Sequence, residues 1–491
     1  MNILFKDYIK RLSILIATIL LVITLVTPSA YAKVPDFNGG ILDEYMYEEV
    51  FFLAGYPVKF TGKATITEKE NKNQLTSTYK FTLTSETGDK LTRNVVYVSD
   101  LKNYEKKGQT TSNTVVKSYT EKVTMADKST YTLDDYQFSQ GSVIDNRPAT
   151  DYYSGNVIAR KIYLKNYKDG KTTKTDKITV YMAGRDVGYK NFWGSTDTQF
   201  VDYEIQTPEG TAFVTSKVSD SKSRVLEYEP HTPSLSSFVG GHAVISSSNM
   251  ISEYTYNIPF RNLHDYGPTI GNFYLNKEKT PKIERLIFPK FRDIANHWSK
   301  PNIEKLYSLG IFDESSNFFS PDAAMKKDQF TISVARAVDL RVLEEKPTKK
   351  NTVKKALFED LDPKDPNYVY IESALNKGIV SPVNAKKFGA KDSITRAQAA
   401  TIIVRSLGLE GRAPSPGYKT KFIDDNKIPK EAKDSIYVAS ELGLIEPDKK
   451  NRINANEVLT RGKASQLLVR YLNFLESDLK QNYRDDMLYF D

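Results

Sequence analysis

Cysteine is absent from the 491 residues of the chain, and histidine occurs only four times. Without cysteine, disulfides and thiolate metal sites are excluded. His231, His242 and His264 lie close together in sequence, but their spacing matches no zinc pattern, so neither a metal site nor a cofactor is predicted. The chain also lacks a Gly-x-Ser-x-Gly elbow, a phosphate-binding loop and a His-Glu-x-x-His sequence, which removes the commonest signatures of hydrolases and nucleotide-binding enzymes.

Long apolar segments are also lacking, except at the N-terminus. There, Lys6, Lys10 and Arg11 precede an apolar run of ~15 residues from Leu12 to Val26, shorter than the ~20 residues that a spanning helix needs. The run is followed by Ala30-Tyr31-Ala32, a small-x-small cleavage pattern. This arrangement predicts a secretory signal peptide over residues 1–32 and no membrane segment after its cleavage, with a single membrane anchor as the alternative.

The formal charge of the chain is +8. Lys6, Lys10 and Arg11 together with Asp7 give the predicted signal a charge of 3 − 1 = +2, which leaves 8 − 2 = +6 for the mature protein. A mild positive charge favours acidic partners, and outside a Gram-positive cell these are teichoic acids and other anionic wall polymers. Because the sequence has no concentrated basic patch and no nucleic-acid motif, nucleic acid is not predicted as a partner. A solvated surface with a small surplus of lysine fits the same charge.

The first half of the mature chain has the pattern of β-strands. Residues 78–84 alternate, with Tyr79, Phe81 and Leu83 on one face, and residues 168–171 form a hairpin turn signal between two further strands. Short strands at intervals of about ten residues predict a mostly antiparallel β domain, arranged as a sandwich, roll or barrel. We place this domain at residues 33–280 and a proline-bearing linker at 281–290. Residues 45–53 fit either a short helix or a first strand.

Beyond residue 290 the sequence becomes helical in period and repeats. The tripeptide Phe-x-Asp occurs three times, at residues 291–293, 358–360 and 422–424. Each copy is followed by a short apolar stripe and then by a glycine seven residues after an isoleucine. The three pairs are Ile303 and Gly310, Ile371 and Gly378, and Ile436 and Gly443. The stripe predicts a two-turn helix, and the glycine fits the left-handed position that ends it.

A second helix is predicted in each copy. It begins near a basic residue, which is Lys327, Arg396 or Arg461. Thr395 and Gln398 match a capping box at the start of the second of these helices, and Thr460 is the equivalent cap in the third. Each copy is therefore predicted to consist of a helix, a glycine stop, a loop and a capped helix, and a threefold internal repeat is a strong signature of a modular array.

These residues carry a resemblance to a known family. The Phe-x-Asp opening, His297-Trp298, residues 319–322 and Ile394-Thr-Arg-Ala-Gln398 strongly resemble S-layer homology (SLH) domains. The repeats are placed at residues 291–345, 356–410 and 420–476. The resemblance implies an all-α triplet that folds as a pseudo-trimer. It also implies that grooves between the repeats bind secondary cell-wall polysaccharide non-covalently, often through pyruvylated N-acetylmannosamine.

The candidate polysaccharide-binding residues are Lys327, Arg396, Arg461, Trp298, Asp293, Asp360, Asp424, Thr395 and Thr460. A cation in the first turn of a helix adds to a dipole and free N–H groups that already favour an anion. Arginine also offers a bidentate fork to a carboxylate. The indole could stack on a sugar or pack in the core. The three aspartates could accept hydrogen bonds from sugar hydroxyls or cap their own helix, whereas Arg336, Arg405 and Arg470 are expected to be solvated or paired.

Two functional hypotheses follow for the whole protein. The first is a non-enzymatic protein of the cell wall and surface, in which the β domain is a structural or adhesive module and neighbouring S-layer proteins are further partners. The second is a wall-associated hydrolase with its active site in the β domain, although no acidic pair stands out among candidates such as Asp134 with Asp135 or Glu86 with Asp89. Trp193 is expected to pack in the core, with an exposed sugar-stacking position as the alternative.

Overall fold

A computed structural model describes residues 37–104, 108–229, 241–259, 269–288, 291–313, 316–338 and 356–478. The predicted signal peptide lies outside the described residues, and so do His231 and His264. In the part that is described, thirteen strands come first and the helices follow. No helix among the described residues is both long enough and apolar enough to cross a membrane.

The strands are β1 (Ile41–Asp43), β2 (Met46–Phe51), β3 (Val58–Asn71), β4 (Gln74–Thr84), β5 (Lys90–Tyr104), β6 (Gln109–Thr124), β7 (Thr130–Asn146), β8 (Thr150–Asp169), β9 (Thr172–Asn191), β10 (Gly194–Thr207), β11 (Gly210–Glu229), β12 (Gly241–Asn257) and β13 (Ile270–Arg285). The helices are α1 (Lys300–Ser308), α2 (Lys327–Ala337), α3 (Tyr368–Asn376), α4 (Arg396–Leu407), α5 (Lys433–Glu441) and α6 (Arg461–Asn473).

All thirteen strands belong to one sheet, in which each strand pairs with the next in chain order. Every pairing is antiparallel, as predicted. The sheet nearly closes on itself, because β1 also lies beside β12 and β13. Asp43 on β1 forms ion pairs with Lys279 at 3.0 Å and Lys277 at 3.8 Å on β13, which tie the two ends of the meander together.

The prediction of short strands is wrong, since β8 and β9 each run for 20 residues. No proline occurs between Pro57 and Pro148 or between Pro148 and Pro208, so nothing removes a ladder donor within these strands. The hairpin signal at residues 168–171 is confirmed, with Gly170 at φ 62° between β8 and β9. Residues 45–53 contain strand β2 rather than a helix.

The boundary between the two regions also differs from the prediction. Strand β13 continues to Arg285, five residues past the limit at residue 280. Pro281 is tolerated because β13 is the last strand in the sheet order. In addition, a register shift between Ser246 and Ser248 on β12 absorbs the irregularity, and pairing resumes at Lys282.

The core of the β domain contains a charge cluster that sequence patterns did not reveal. Arg93 on β5 donates to Glu49 on β2 at 2.7 and 2.8 Å, and to Glu121 on β6 at 2.8 and 3.0 Å. These side chains are buried, and Lys161 lies 3.9 Å from Glu121. Burial alone would raise the pKa of Glu121, but the charges of Arg93 and Lys161 outweigh it and lower that pKa to about 2. The cluster joins strands that are distant in sequence.

The helical region has the predicted construction, except that α2, the second helix of the first copy, begins without a side-chain cap. The stripe residues Ile303, Ile371 and Ile436 are buried, and the three glycines adopt φ values of 68–70° directly after the helices. In each case the glycine N–H and the next N–H donate to two carbonyls of the last helical turn, for example from Gly310 to Tyr307 and from Ile311 to Leu306. This is the Schellman arrangement, in which glycine takes the left-handed conformation without strain.

Three backbone hydrogen bonds join the segments that lead into the second helices. The N–H of Met325 donates to the carbonyl of Leu459, Leu459 donates to Ile394, and Ile394 donates back to Met325, all at 2.9–3.0 Å. All three side chains are buried. The donors and acceptors form a closed ring, so the starts of α2, α4 and α6 lie around a common centre.

The β domain and the helices share a buried core. Ala149, Tyr152 and Trp193 belong to the same buried cluster as the helical apolar residues, and Trp193 is only 2% exposed. Arg147 donates to the carbonyl of Gly408 after α4, and Asn191 donates to the carbonyl of Leu475 after α6 at 3.4 Å. The sheet therefore contacts the C-terminal ends of these second helices, at the opposite ends from Arg396 and Arg461.

We predict that Arg93→Met lowers the free energy of unfolding by about 3–5 kcal/mol, because it leaves buried carboxylates without their cation. Chemical denaturation of the purified protein measures this change. The control is Arg160→Met, which removes an ion pair with Asp135 whose two side chains are 37% and 35% exposed. We expect the control to cost less than about 1 kcal/mol. Equal losses in the two variants would contradict the assignment of the cluster.

We also predict a pH dependence from Glu121. Its pKa is lower in the folded state than its ordinary value of 4.5, so its contribution to stability is fully present above pH 4.5 and is lost as the pH falls towards about 2. The variant Glu121→Gln should be less stable than wild type at pH 6, and this difference should shrink between pH 4.5 and 2. A difference that stays constant across this range, measured by denaturant titration, would refute the prediction.

Candidate functional site

The three predicted cations occupy equivalent positions in the structure. Lys327, Arg396 and Arg461 are the first residues of α2, α4 and α6. Thr395 accepts a hydrogen bond from the Gln398 N–H, and the Gln398 side chain accepts from the Thr395 N–H, so the capping box is confirmed. Thr460 likewise accepts from the N–H of Lys463 at 3.2 Å. Both threonine hydroxyls therefore cap helices.

Lys327 is engaged inside the protein. Its ammonium donates to the backbone carbonyls of Ser381 at 2.8 Å and Phe388 at 2.7 Å, and it lies 4.4 Å from the centre of the Phe388 ring. Burial lowers the pKa of Lys327 below its ordinary value. This cation links the first repeat to the second and is half-buried.

Arg461 is likewise turned inward. The residue is only 8% exposed, and its guanidinium lies 4.3 Å from the centre of the buried Phe319 ring. One of its amino groups donates to the side-chain oxygen of Gln329 at 3.1 Å. The sequence identified the position of this arginine in its helix. Tertiary packing buries it, so that it links the third repeat to the first.

Among the three cations, Arg396 lines an open groove in the described part of the helical region. The groove has a volume of about 370 Å³, and its polar and aromatic lining consists of Trp298, Arg396, Lys463, Gln466 and Arg470. We call it the Trp298 groove. Leu444, Ile445, Leu459 and Leu467 complete its lining. It thus collects side chains from the first, second and third repeats.

The charges in the Trp298 groove are positive in excess. Arg396, Lys463 and Arg470 contribute three cations, against the carboxylates of Glu446, which pairs with Arg470 at 2.7 Å, and Glu457, which pairs with Lys463. Arg396 donates one hydrogen bond to the backbone carbonyl of Glu446. Burial, with a contribution from the charge of Arg470, lowers the pKa of Arg396 below its ordinary value. A partly desolvated guanidinium of this kind gains from an incoming anion.

Trp298 gives the groove an aromatic wall. The residue is 55% exposed, and its ring lies 5.4 Å from that of His297 at an angle of 36°. Of the two alternatives for this tryptophan, the structure therefore favours the exposed platform over core packing. An exposed indole beside a set of cations is suited to a sugar ring that carries a carboxylate.

Arg470 is the groove residue that sequence reasoning missed. It was expected to be solvated or paired, because it lies half a revolution from Arg461 on the same helix. The ion pair with Glu446 is present, but Arg470 lies in the groove with Arg396, a cation of another helix. The recurrence of arginine at this position in all three repeats was the available signal.

The aspartates of the Phe-x-Asp sequences shape loops. Asp293 accepts from the N–H groups of Phe319 and Ser320. Asp360 accepts from those of Phe388, Gly389 and Ala390, and Asp424 from those of Ile453 and Asn454, all at 2.6–2.9 Å. The prediction that they cap their own helix is wrong, since the donors belong to the loop that precedes the second helix. Although burial opposes it, these backbone donors lower the pKa of Asp293 and Asp360.

Two of the carboxylates considered for a hydrolase site in the β domain, Asp135 and Asp89, have structural partners. Asp135 pairs with Arg160 at 2.9 Å. Asp89 accepts hydrogen bonds from Ser85 and Thr87 in a turn. Within the described ranges, no group of histidine and acidic side chains could hold a metal ion. Trp193 packs in the core, as expected.

Two segments of the chain, residues 290–331 and 357–400, match the S-layer homology domain. Domains of this family indicate cell-wall anchoring and bind cell-wall polysaccharides, which supports a cell-surface or cell-wall association of this chain. Both segments fall within the helical region. The match accounts for the first two of the three repeats found in the sequence.

Three curated relatives are similar in sequence to this chain over stretches of similar length. The chain is 28% identical to an endoglucanase of Bacillus sp. (strain KSM-635) over 184 residues, which are 37% of this chain and 18% of that protein. It is 24% identical to the exoglucanase XynX of Acetivibrio thermocellus over 40% of this chain and 17% of that protein. It is also 24% identical to an amylopullulanase of Thermoanaerobacterium thermosulfurigenes over 36% of this chain and 9% of that protein. The chain thus spans less than a fifth of each relative's length.

We predict that Asp360→Ala destabilises the protein by about 1–3 kcal/mol, because three loop N–H groups lose their acceptor. Thermal unfolding of the full chain measures this effect. Asp362→Ala is the control, since the Asp362 carboxylate accepts a single hydrogen bond, from the N–H of Lys364 in an exposed turn. Unchanged stability in Asp360→Ala, together with weakened wall binding, would indicate a ligand contact instead of a loop function.

Proposed function

We propose that this protein is a secreted cell-surface protein of a Gram-positive bacterium, held non-covalently on the cell wall by its helical region. The ligand is an anionic secondary cell-wall polysaccharide, and the β domain is displayed as a structural or adhesive module. The observation that carries the proposal is the Trp298 groove, where Arg396 and Arg470 lie beside an exposed indole on a region that matches S-layer homology domains.

The chemistry of the groove favours a sugar that carries a carboxylate. A pyruvyl ketal places one carboxylate on a pyranose ring, so one cation pair and one aromatic wall suffice to recognise it. Arg396 and Arg470 offer guanidinium donors for the carboxylate, Gln466 offers a neutral amide, and Trp298 offers a flat apolar face. We therefore propose a pyruvylated sugar of the N-acetylmannosamine type as the ligand.

The third repeat and the pseudo-trimer are part of the same proposal. Residues 420–476 contain a Schellman-ended helix and an aspartate that holds the loop, as both matched segments do, and a threonine-capped second helix, as the second matched segment does. In the ring of hydrogen bonds through Met325, Ile394 and Leu459, each of the three repeats contributes one donor and one acceptor. Such a ring is what three similar modules packed about an approximate threefold axis require.

The β domain is proposed to have no enzymatic activity. Two groups of acidic side chains in its described part face inward: Glu49 and Glu121 are both hydrogen-bonded to Arg93, while Asp186, Asp197 and Asp220 are more than nine-tenths buried. A glycosidase needs two carboxylates in a cleft that a polysaccharide can enter. The glucanase names of the relatives describe proteins whose length this chain covers only in small part, so a wall-associated hydrolase remains the second candidate.

We predict that Arg396→Ala in the full chain weakens sedimentation with purified native cell walls by about tenfold, because the anion loses its guanidinium partner. Removal of pyruvyl groups from the walls should weaken the binding of wild type to a similar extent. Arg452→Ala is the matched control, since Arg452 pairs with Asp448 outside the groove. Equal binding of wild type to native and depyruvylated walls would overturn the proposed ligand.

A further inference from the structure

We propose that the Trp298 groove is the single polysaccharide-binding groove of this chain, and that Lys327 and Arg461, at the two equivalent positions, are structural cations. The protein would then take one acidic sugar terminus per chain in spite of its three repeats. This inference rests on the proposed function and concerns its stoichiometry and the division of labour among the repeats.

The three positions share the same spacing in sequence, and the first two also have equivalent contacts. Lys327 donates to the carbonyl of Ser381, and Arg396 donates to the carbonyl of Glu446, which are both the third residue after a helix-ending glycine in the following repeat. The arginines near the ends of the second helices contact residues at this same spacing after a helix-ending glycine. The pairs are Arg336 with Asp313, Arg405 with Ser381 and Arg470 with Glu446. At the first two positions, an early cation and a late arginine therefore contact the same residue, which is Ser381 or Glu446.

At the first position, the cation has its hydrogen bonds inside the protein. Two carbonyls and the Phe388 ring surround the Lys327 ammonium, and Phe388 itself is fully buried. An anion that bound there would have to displace these contacts. The cost would fall on the packing between the first and second repeats, because both carbonyls belong to the second repeat.

At the third position, the cation is covered. Arg461 is 8% exposed, and its guanidinium lies against the Phe319 ring and the Gln329 side chain. A sugar carboxylate has no open approach to a residue that is buried to this extent. At the second position, by contrast, no aromatic ring of the described residues lies against the Arg396 guanidinium, which lines the open Trp298 groove.

The walls of the three positions also differ in chemistry. Trp298 lies five residues before the stripe residue Ile303, and the residues at the same spacing in the other repeats are Pro366 and Glu431. Lys463 is replaced by glutamine in the other two second helices. Trp298 and Lys463 therefore lie together only beside Arg396, where the first and third repeats contact the second.

Isothermal titration calorimetry of the full chain tests this inference, with a purified wall-polysaccharide fragment that carries one terminal pyruvyl ketal as the probe. We expect a stoichiometry of one for wild type and at least about a tenfold weaker Kd for Trp298→Ala. Lys327→Met and Arg461→Met should retain the wild-type Kd within about threefold, although their unfolding temperatures should fall.

The outcomes separate the inference from the proposed function. A stoichiometry of two or three for wild type would overturn the single groove while leaving wall binding intact. A folded Lys327→Met or Arg461→Met variant that loses binding would also overturn it. If wild type binds neither the fragment nor native walls, the proposed function itself fails. The stoichiometry of wild type does not depend on whether any variant folds.

Discussion

Three backbone hydrogen bonds, from Met325 to Leu459, from Leu459 to Ile394 and from Ile394 to Met325, bring together segments that are more than sixty residues apart in the chain. Their partners are backbone groups, and the side chains at these positions are buried, so the ring is protected from competition by water. Because each segment leads directly into a second helix, the ring also fixes where the three helix N-termini lie. The Trp298 groove exists because of this placement.

Similar local structure leads to unlike surroundings in the three repeats. Each second helix begins with a cation, and each preceding loop is held by an aspartate. A phenylalanine under Lys327 and another under Arg461 turn these cations into packing elements, whereas Arg396 keeps an open side. A cation that already contacts carbonyls and a buried ring has few hydrogen-bond donors left for a ligand. The repeats can therefore differ in role, so that some cations stabilise the packing between repeats and another is available to a ligand.

The sheet contacts the helical region at the C-terminal ends of α4 and α6. Trp193 and Tyr152 are buried in the helical core, and Arg147 reaches the carbonyl of Gly408 at the end of α4. Arg396 lies at the other end of that helix, about 18 Å away for a helix of 12 residues. The groove is not confined to that end, because Arg470 lies in the last turn of α6.

The sequence by itself determined the local structure of the helical region. Glycine must end the first helix of each repeat because only glycine takes the left-handed conformation freely, and threonine caps α4 and α6 because its hydroxyl accepts from a free N–H, so both could be read from spacing. The alternation of Tyr79, Phe81 and Leu83 likewise predicted a strand. Strand length was not predictable in this way, since it depends on a neighbour that continues the ladder.

Tertiary structure alone decided which candidate residues can meet a ligand. Arg396 and Arg461 have the same position in their helices, yet one lines a groove and the other is covered, because the difference comes from residues of another repeat. Arg470, Lys463 and Trp298 reach Arg396 only through packing between repeats, and Glu49 meets the cross-strand pair Arg93 and Glu121 only when the sheet curves. Such contacts depend on the relative placement of distant segments, which periodicity along one segment does not encode.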